Sequence, residues 1–152
     1  MVDVRKIRLI MELRESGITD NNTLSALETI PREKFIPNSF LDQAYENIAL
    51  PIGNDQTISQ PYIVALMTQS LELKKSHKVL ELGTGSGYQT SILAKLCRRV
   101  YSIERIKDLQ IIAENNLKKL KINNAVLKVG DGNKGWIEQE PFDRIIITAA
   151  TN

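Results

Sequence analysis

The second half of the chain alternates short apolar runs with segments in which apolar residues recur at helical spacing. The runs are rich in Val, Ile and Leu, which favours β-strands. We predict strands at 79–82, 100–103, 125–129 and 142–148, and helices at 88–97 and 108–120. Such alternation predicts an α/β fold with a parallel sheet and helices on both faces. Ligands of these sheets bind beyond the carboxyl ends of the strands.

The first half is predicted to be helical. A first helix ends at Gly17, a second begins after Asp20, and a third begins at Pro61, since proline suits a first helical turn. We expect residues 45–58 to be irregular and residues 1–76 (helical/lid region) and 77–152 (ligand-binding core) to form one domain. In the first helix, Val4, Ile7, Ile10 and Met11 recur at helical spacing. The third helix is expected to bury Ile63, Leu66, Met67 and Leu71.

The segment after the first predicted strand carries the chain's most specific pattern. The strand contains Glu81 and leads into Gly83, Gly85 and Gly87, with Ser86 before the last glycine. A strand, a glycine turn and a helix start predict a nucleotide-binding corner, because glycine permits sharp turns and close approach to a ligand. A carboxylate there repels a pyrophosphate and attracts an ammonium or sulfonium. The corner therefore favours S-adenosylmethionine (SAM) over NAD, the alternative being a structural turn without ligand.

Acidic residues follow two further strands. Glu104 ends the second strand, where an acid accepts hydrogen bonds from ribose hydroxyls in adenosine-binding folds. Asp131 lies in a Gly-Asp-Gly turn after the third strand, where it can accept a bond from an adenine amine. The plainer alternatives are a solvated acid for Glu104 and an ordinary Asp-Gly turn for Asp131.

A polar segment, 56–61, precedes the sheet and can form a lid. Its Ser59 stands just before a helix that begins with proline, so chemistry alone favours a helix N-cap. His77 is expected at the surface, Cys97 as a buried apolar residue and Trp136 in core or rim packing.

Composition narrows the classes of function. The 20 basic and 18 acidic residues give a net charge of +2, which does not indicate a nucleic-acid partner. One cysteine and one histidine exclude a disulfide framework and a His/Cys metal cluster. No signal peptide or membrane span is visible, so we expect a cytoplasmic protein.

Three stretches together resemble the protein-L-isoaspartate O-methyltransferases: residues 55–61, residues 79–89, and residues 130–132 followed by Gly135 and Trp136. Residues 142–150 also fit. The glycine stretch alone indicates a SAM-dependent methyltransferase, and the Thr-Ile-Ser-Gln-Pro stretch is specific to this family.

The resemblance implies a Rossmann-like methyltransferase core, an N-terminal helical subdomain and methyl transfer from SAM to isoaspartyl carboxylates of damaged proteins. It implies that Ser59 is the active-site residue, in a substrate loop with Thr57, Ile58 and Gln60. The expected SAM-binding residues are Glu81, Gly83, Gly85, Ser86, Gly87, Glu104, Asp131 and Gly132. The expected partners are isoaspartyl proteins and peptides acted on by a monomer, without nucleic acid or membrane.

The chain departs from the family pattern in two places. Asn54 and Asp55 replace the usual Tyr-Gly, which reduces backbone freedom at Asp55. The chain also ends at Asn152, where the family continues, so C-terminal strands are expected to be missing and one sheet edge to be exposed. The alternatives are a catalytically inactive SAM-binding or interaction module, a methyltransferase for another acceptor and, least favoured, an NAD oxidoreductase.

Overall fold

The structure is a computed structural model and describes residues 1–149. Its N-terminal part is helical, as predicted. Asp3 and Asp20 cap the first two helices, each accepting a hydrogen bond from a backbone N–H of the first turn. The elements are α1 (Val4–Glu15), α2 (Asn21–Thr29), 3-10 helices Arg32–Phe35 and Asn38–Gln43, and α3 (Pro61–Ser70).

A two-stranded antiparallel hairpin occupies part of the segment 45–58. It consists of β1 (Leu50–Gly53) and β2 (Gln56–Ile58), so the prediction of an irregular segment is wrong. Asn54 and Asp55 form the turn, with φ angles of 53° and 56°. A tight hairpin turn requires such left-handed angles, and Asn and Asp tolerate them better than most residues.

A four-stranded parallel sheet follows, as predicted. Its order is β5-β4-β3-β6, and Glu81, the fourth residue of β3, lies opposite Ser102 on one side and Ile146 on the other. The elements are β3 (Lys78–Leu82), α4 (Tyr88–Leu96), β4 (Arg99–Glu104), α5 (Lys107–Lys119), β5 (Ala125–Val129) and β6 (Arg144–Ile147). All four strands run in one direction, so their carboxyl ends meet at one edge.

The two faces of the sheet are covered differently. On one face, Val79 and Val100 pack against Leu93 of α4. On the other, Tyr101 packs edge-to-face against Trp136 and Phe142, with ring centroids 5.2 and 5.8 Å apart. Within residues 1–149, this second face is covered by the segment between β5 and β6, which contains two 3-10 helices. The prediction of a parallel sheet flanked by helices is confirmed, and the helices on this second face are short 3-10 helices in the described residues.

The N-terminal helices share a core with α4 and α5, the two helices that follow β3 and β4. Its largest cluster joins Leu13 of α1 and Leu24 of α2 with Tyr88 and Ile92 of α4 and Leu109 of α5. These contacts place the hairpin and the segment after it beside the start of α4.

The buried faces of α1 and α3 differ from the apolar patterns read from the sequence. In α1 the buried residues are Leu9, Ile10 and Leu13, and in α3 they are Pro61, Val64, Ala65 and Thr68. The exposed members of those patterns are Val4, Ile7, Met11, Ile63 and Leu66. When a short helix carries apolar residues on more than one side, the elements that it packs against decide which side is buried.

Two smaller predictions also need correction. His77 is buried, and its Nδ1 accepts a 3.1 Å hydrogen bond from the backbone N–H of Lys74. Strand β6 lies at the sheet edge, with Ile145 and Ile147 55% and 49% exposed, whereas its pattern predicted a buried strand.

The predicted fit of Ala150 lies outside the described residues. Across residues 1–149, no helix has the length and apolar character needed to cross a bilayer.

Candidate active site

The turn after β3 is built on glycines with positive φ angles. Gly83, Gly85 and Gly87 have φ values of 99°, 57° and 92°. At Gly83 a Cβ atom would stand 2.7 Å from the Cβ of Ala149, so a side chain is excluded by space as well as by backbone conformation. The turn therefore lies directly against the end of β6.

Glu104, at the end of β4, is fixed by two backbone donors. Its Oε2 accepts a 2.8 Å hydrogen bond from the N–H of Gly85, and its Oε1 accepts a 3.0 Å bond from the N–H of Ile106. Each carboxylate oxygen keeps acceptor capacity for a further donor. Glu104 is thus held rigidly against the glycine turn with both oxygens able to bind a ligand.

A cavity of about 420 Å³ extends from Glu104 to the turn after β5. Asp131 and Gly132 line its far side, and the Oδ1 of Asp131 accepts a 2.9 Å hydrogen bond from the N–H of Asn133. The size lies in the range of small-ligand sites. We call this space the strand-end cavity.

A narrower cavity of about 60 Å³ adjoins it, which we call the Ser59 cavity. Its walls come from Thr57, Ile58 and Ser59 on one side and the glycine turn on the other. The residues that line both cavities are Gln56, Gly83, Glu104 and Ala149. The two cavities therefore meet at Glu104.

Ser59 is not the N-cap of α3, which corrects the interpretation that chemistry alone favoured. The N-cap position is Gln60, and no side-chain hydrogen bond caps this helix in the described part of the chain. Ser59 is instead half-buried in the cavity wall, at the junction of β2 and α3.

Glu81 lies beneath the glycine turn and is fully buried. Its Oε1 accepts hydrogen bonds from the hydroxyls of Thr90 and Ser102, the latter at 2.6 Å, and Ser102 is itself 2.6 Å from the Thr84 hydroxyl. Its Oε2 has no partner among residues 1–149. Burial raises the pKa of this carboxyl to about 7, against the two hydroxyl donors, which lower it.

The structure brings most of the predicted site residues together. The residues that line a cavity are Thr57, Ile58, Ser59, Gly83, Gly85, Ser86, Glu104, Asp131 and Gly132. Glu81, Gln60 and Gly87 do not line either cavity. Gly87 begins α4, where a Cβ would stand 3.3 Å from the Cβ of Ala113, so it allows close packing of two helices.

Sequence analysis did not single out other lining residues. Tyr88 and Gln89 reach the Ser59 cavity from the first turn of α4, and Arg105 and Asn133 reach the strand-end cavity. The signal that could have found them is position: residues directly after a strand end or at a helix start lie at the edge where ligands bind.

The charges around the strand-end cavity fit a cationic adenosyl compound. The cavity is lined by two carboxylates, Glu104 and Asp131, and by one arginine, Arg105. A further carboxyl, that of Glu81, lies under the adjoining turn. A pyrophosphate would meet net repulsion there, whereas a sulfonium and an ammonium would be attracted.

The family model for protein-L-isoaspartate(D-aspartate) O-methyltransferase matches residues 4–152. The chain belongs to this family. A Paramagnetospirillum magneticum protein-L-isoaspartate O-methyltransferase is 59% identical over 146 residues, which cover 96% of this chain and 68% of that protein. The chain thus spans about two thirds of the length of this relative.

Solved structures of the family share the fold. One protein-L-isoaspartate O-methyltransferase superposes with a TM-score of 0.87 at 32% identity, over 94% of this chain and 47% of that one. A Plasmodium falciparum protein assigned to the same enzyme class, in complex with S-adenosyl-L-homocysteine (SAH), gives 0.77 at 28% identity, over 93% of this chain and 72% of that one. The isoaspartate methyltransferase family is SAM-dependent, which agrees with the charges of the strand-end cavity.

Proposed function

We propose that this chain transfers a methyl group from SAM to the free carboxylate of L-isoaspartyl residues in proteins and peptides. The observation that carries the proposal is the junction of the two cavities at Glu104. It allows a donor bound along the strand ends to present its methyl group beside Ser59. Membership of the isoaspartate methyltransferase family supports the choice of acceptor.

The residues around the strand-end cavity are proposed to hold the donor. Glu104 would accept hydrogen bonds from the two ribose hydroxyls, and Asp131 one from the adenine amine, while Gly132 leaves room for the adenine. The glycine turn, with Gly83, Gly85 and Ser86, would lie against the rest of the cofactor. Glu81, which touches neither cavity, is proposed to act from below by adding negative charge under that turn.

The acceptor requires no general base. A carboxylate is already ionised near neutral pH, and its oxygen lone pair forms the new C–O bond. Bound SAM supplies a methyl group on a sulfonium, and the electron pair of the broken C–S bond remains on the sulfur of SAH. The protein contributes alignment and exclusion of water, and orientation of this kind supplies up to roughly 7–11 kcal/mol of the barrier.

Ser59 is proposed to donate a hydrogen bond from its hydroxyl to the acceptor carboxylate. Thr57 and Ile58 form the same cavity wall, and Gln60 follows Ser59 as the N-cap residue of α3. Ser59 would thereby place one carboxylate oxygen in line with the methyl carbon and the sulfur, without attacking any bond itself.

The experiment is a methyl-transfer assay with the full chain, SAM and an isoaspartyl peptide, read out as methanol released from the ester. The matched control is the same peptide with a normal aspartyl residue. Calorimetric titration with SAM accompanies it. Binding of SAM without transfer to the isoaspartyl peptide would refute the proposal and favour an inactive SAM-binding module.

The proposal also includes a cytoplasmic monomer that acts without nucleic acid or membrane. The single cysteine, which is buried, and the nearly balanced charge support it. Sedimentation velocity over a range of concentrations tests the oligomeric state.

A further inference from the structure

Arg32 is the largest side chain that is fully buried in the described residues. It begins the 3-10 helix Arg32–Phe35, and neither cavity includes it. Arginine is rarely buried completely, because desolvation of its charge is costly unless a partner compensates. Its position therefore needs an explanation.

The contacts of Arg32 lead to the Ser59 cavity. Its Nη2 donates hydrogen bonds to the carbonyl of Ser59 at 3.0 Å and to that of Ile48 at 3.2 Å. Its guanidinium carbon lies 5.0 Å from the ring centroid of Tyr88, a cation–π distance. Ser59 and Tyr88 are opposite walls of the same cavity, so Arg32 links the substrate loop to the start of α4.

The charge of Arg32 has no acidic partner within residues 1–149. The one ion pair there joins Arg5 and Asp3, and the neighbouring Glu33 accepts a hydrogen bond from Tyr45 instead. The Nε and Nη1 of Arg32 have no hydrogen-bond partner among these residues. Burial lowers the pKa of this guanidinium, but arginine stays protonated in proteins. A fixed positive charge therefore lies behind Ser59, in contact with a residue of the cavity wall.

We propose that Arg32 is a positioning residue for the methyl acceptor: it fixes the backbone of Ser59 and favours an anionic carboxylate over an uncharged group at that place. This inference rests on the proposed function. The substrate carboxylate is anionic and its methyl ester is neutral, so the charge of Arg32 favours bound substrate over bound product. The same side chain would then assist both capture of the acceptor and release of the ester.

The test separates charge from geometry. Arg32→Met removes the charge and keeps an apolar stem, Arg32→Lys keeps the charge, and Lys34→Met removes an exposed charge from the same 3-10 helix as a control. Each protein is saturated with SAH, which cannot react. The affinity is then measured for an isoaspartyl peptide and for the analogue whose free carboxylate is replaced by a carboxamide.

We expect wild type and Lys34→Met to bind the carboxylate peptide about tenfold more tightly than the carboxamide, a factor that corresponds to about 1.4 kcal/mol. Arg32→Met should lose this preference while its affinity for SAH changes less than twofold. Arg32→Lys should restore the preference. If Arg32→Met keeps the preference, or if Lys34→Met loses it equally, the charge of Arg32 has no such role.

A second measurement does not depend on peptide binding. Amide hydrogen exchange at residues 57–60 should accelerate about tenfold in Arg32→Met, because the Ser59 carbonyl loses its donor; unchanged exchange would refute the positioning role. Should Arg32→Met fail to fold, Arg32→Gln answers both questions. If wild type binds SAH but neither binds nor methylates the isoaspartyl peptide, the proposed function fails, and the exchange result still decides the positioning role.

Discussion

Two fully buried side chains of opposite charge lie behind the two parts of the site. Glu81 lies in the sheet beneath the glycine turn, and Arg32 lies in the N-terminal region behind Ser59. Glu81 receives hydrogen bonds from hydroxyl donors, whereas Arg32 donates to carbonyls and lies over an aromatic ring. The carboxyl lies on the side where we propose that the cationic donor binds, and the guanidinium on the side proposed for the anionic acceptor.

The two side chains differ in whether a change of pH can neutralise them. A carboxyl that is desolvated takes up a proton, and Glu81, with a pKa of about 7, does so within the physiological range. A guanidinium keeps its proton at any pH at which the protein is folded. The buried charge beneath the glycine turn therefore changes with pH, whereas the buried charge behind Ser59 does not.

The largest expected effect is on the pH dependence of stability. Since the folded pKa of Glu81 is raised from 4.5 to about 7, the unfolded chain ionises first as the pH rises between these values. This lowers the free energy of unfolding by about 3 kcal/mol across that window, with the full stability present below it. Glu81→Gln should lack this decrease, which urea denaturation at pH 4.5 and pH 8 measures.

The matched control is Glu114→Gln, which removes an exposed acid from α5. It should keep the wild-type pH dependence. Parallel curves for wild type and Glu81→Gln would mean that folding does not raise the pKa of Glu81, and the contrast with Arg32 would disappear.

The second effect concerns the affinity for SAM. Glu104→Ala removes a carboxylate that we place on the ribose hydroxyls, and hydrogen bonds to charged groups contribute about 1.5–3 kcal/mol. We expect SAM affinity to fall roughly thirtyfold. Calorimetric titration measures it, with Asp108→Ala, an exposed acid in the first turn of α5, as control. Equal loss in both variants would point to general charge rather than to Glu104.

The third effect separates the acceptor side from the donor side. Ser59→Ala should lower turnover about tenfold, the value of one hydrogen bond to a charged oxygen, and leave SAM affinity unchanged. The control is Ser76→Ala, an exposed serine between α3 and β3. Steady-state kinetics with an isoaspartyl peptide measure it. A loss of SAM affinity with unchanged turnover would place Ser59 on the donor side.

The smallest effect is expected at the exposed end of the strand-end cavity. Asp131→Asn keeps an oxygen that can accept the bond from Asn133, so the turn should persist. Loss of the charge should weaken SAM binding by about threefold, since charges exposed to solvent contribute little. A loss as large as that for Glu104→Ala would show that Asp131 is a main anchor.

Sequence reasoning succeeded where local chemistry decides the structure. Strand β5 was predicted at 125–129 and forms there, because an apolar run beside a turn signal has few alternatives. Glu104 and Asp131 were placed at one sheet edge because parallel strands bring their carboxyl ends together. Gly83 was singled out from the spacing of three glycines after a strand, and the structure shows why glycine is needed there, since its φ is positive and Ala149 lies against it.

The failures arise where contacts between distant segments decide. Arg32 is followed by Glu33 and Lys34, a charged pattern that is typical of a solvated turn. Its burial depends instead on a hydrogen bond to the carbonyl of a residue 27 positions later in the chain. The burial of Ile10 and exposure of Ile7 in α1 likewise depend on what the helix packs against. Glu81 was expected to touch the ligand, yet the pleat of β3 directs it to the face that α4 covers.

Glu104 has a consequence for the thermodynamics of binding. Two backbone N–H groups already fix its side chain, so its rotamer freedom, up to about 1.5–2 kcal/mol for a long polar side chain, has been surrendered on folding. A ligand that binds there meets an acceptor whose orientation is already set. Binding therefore does not have to order this side chain, and its loss of entropy does not weaken the affinity. Donor and product, which share the same ribose, would gain equally from this rigidity.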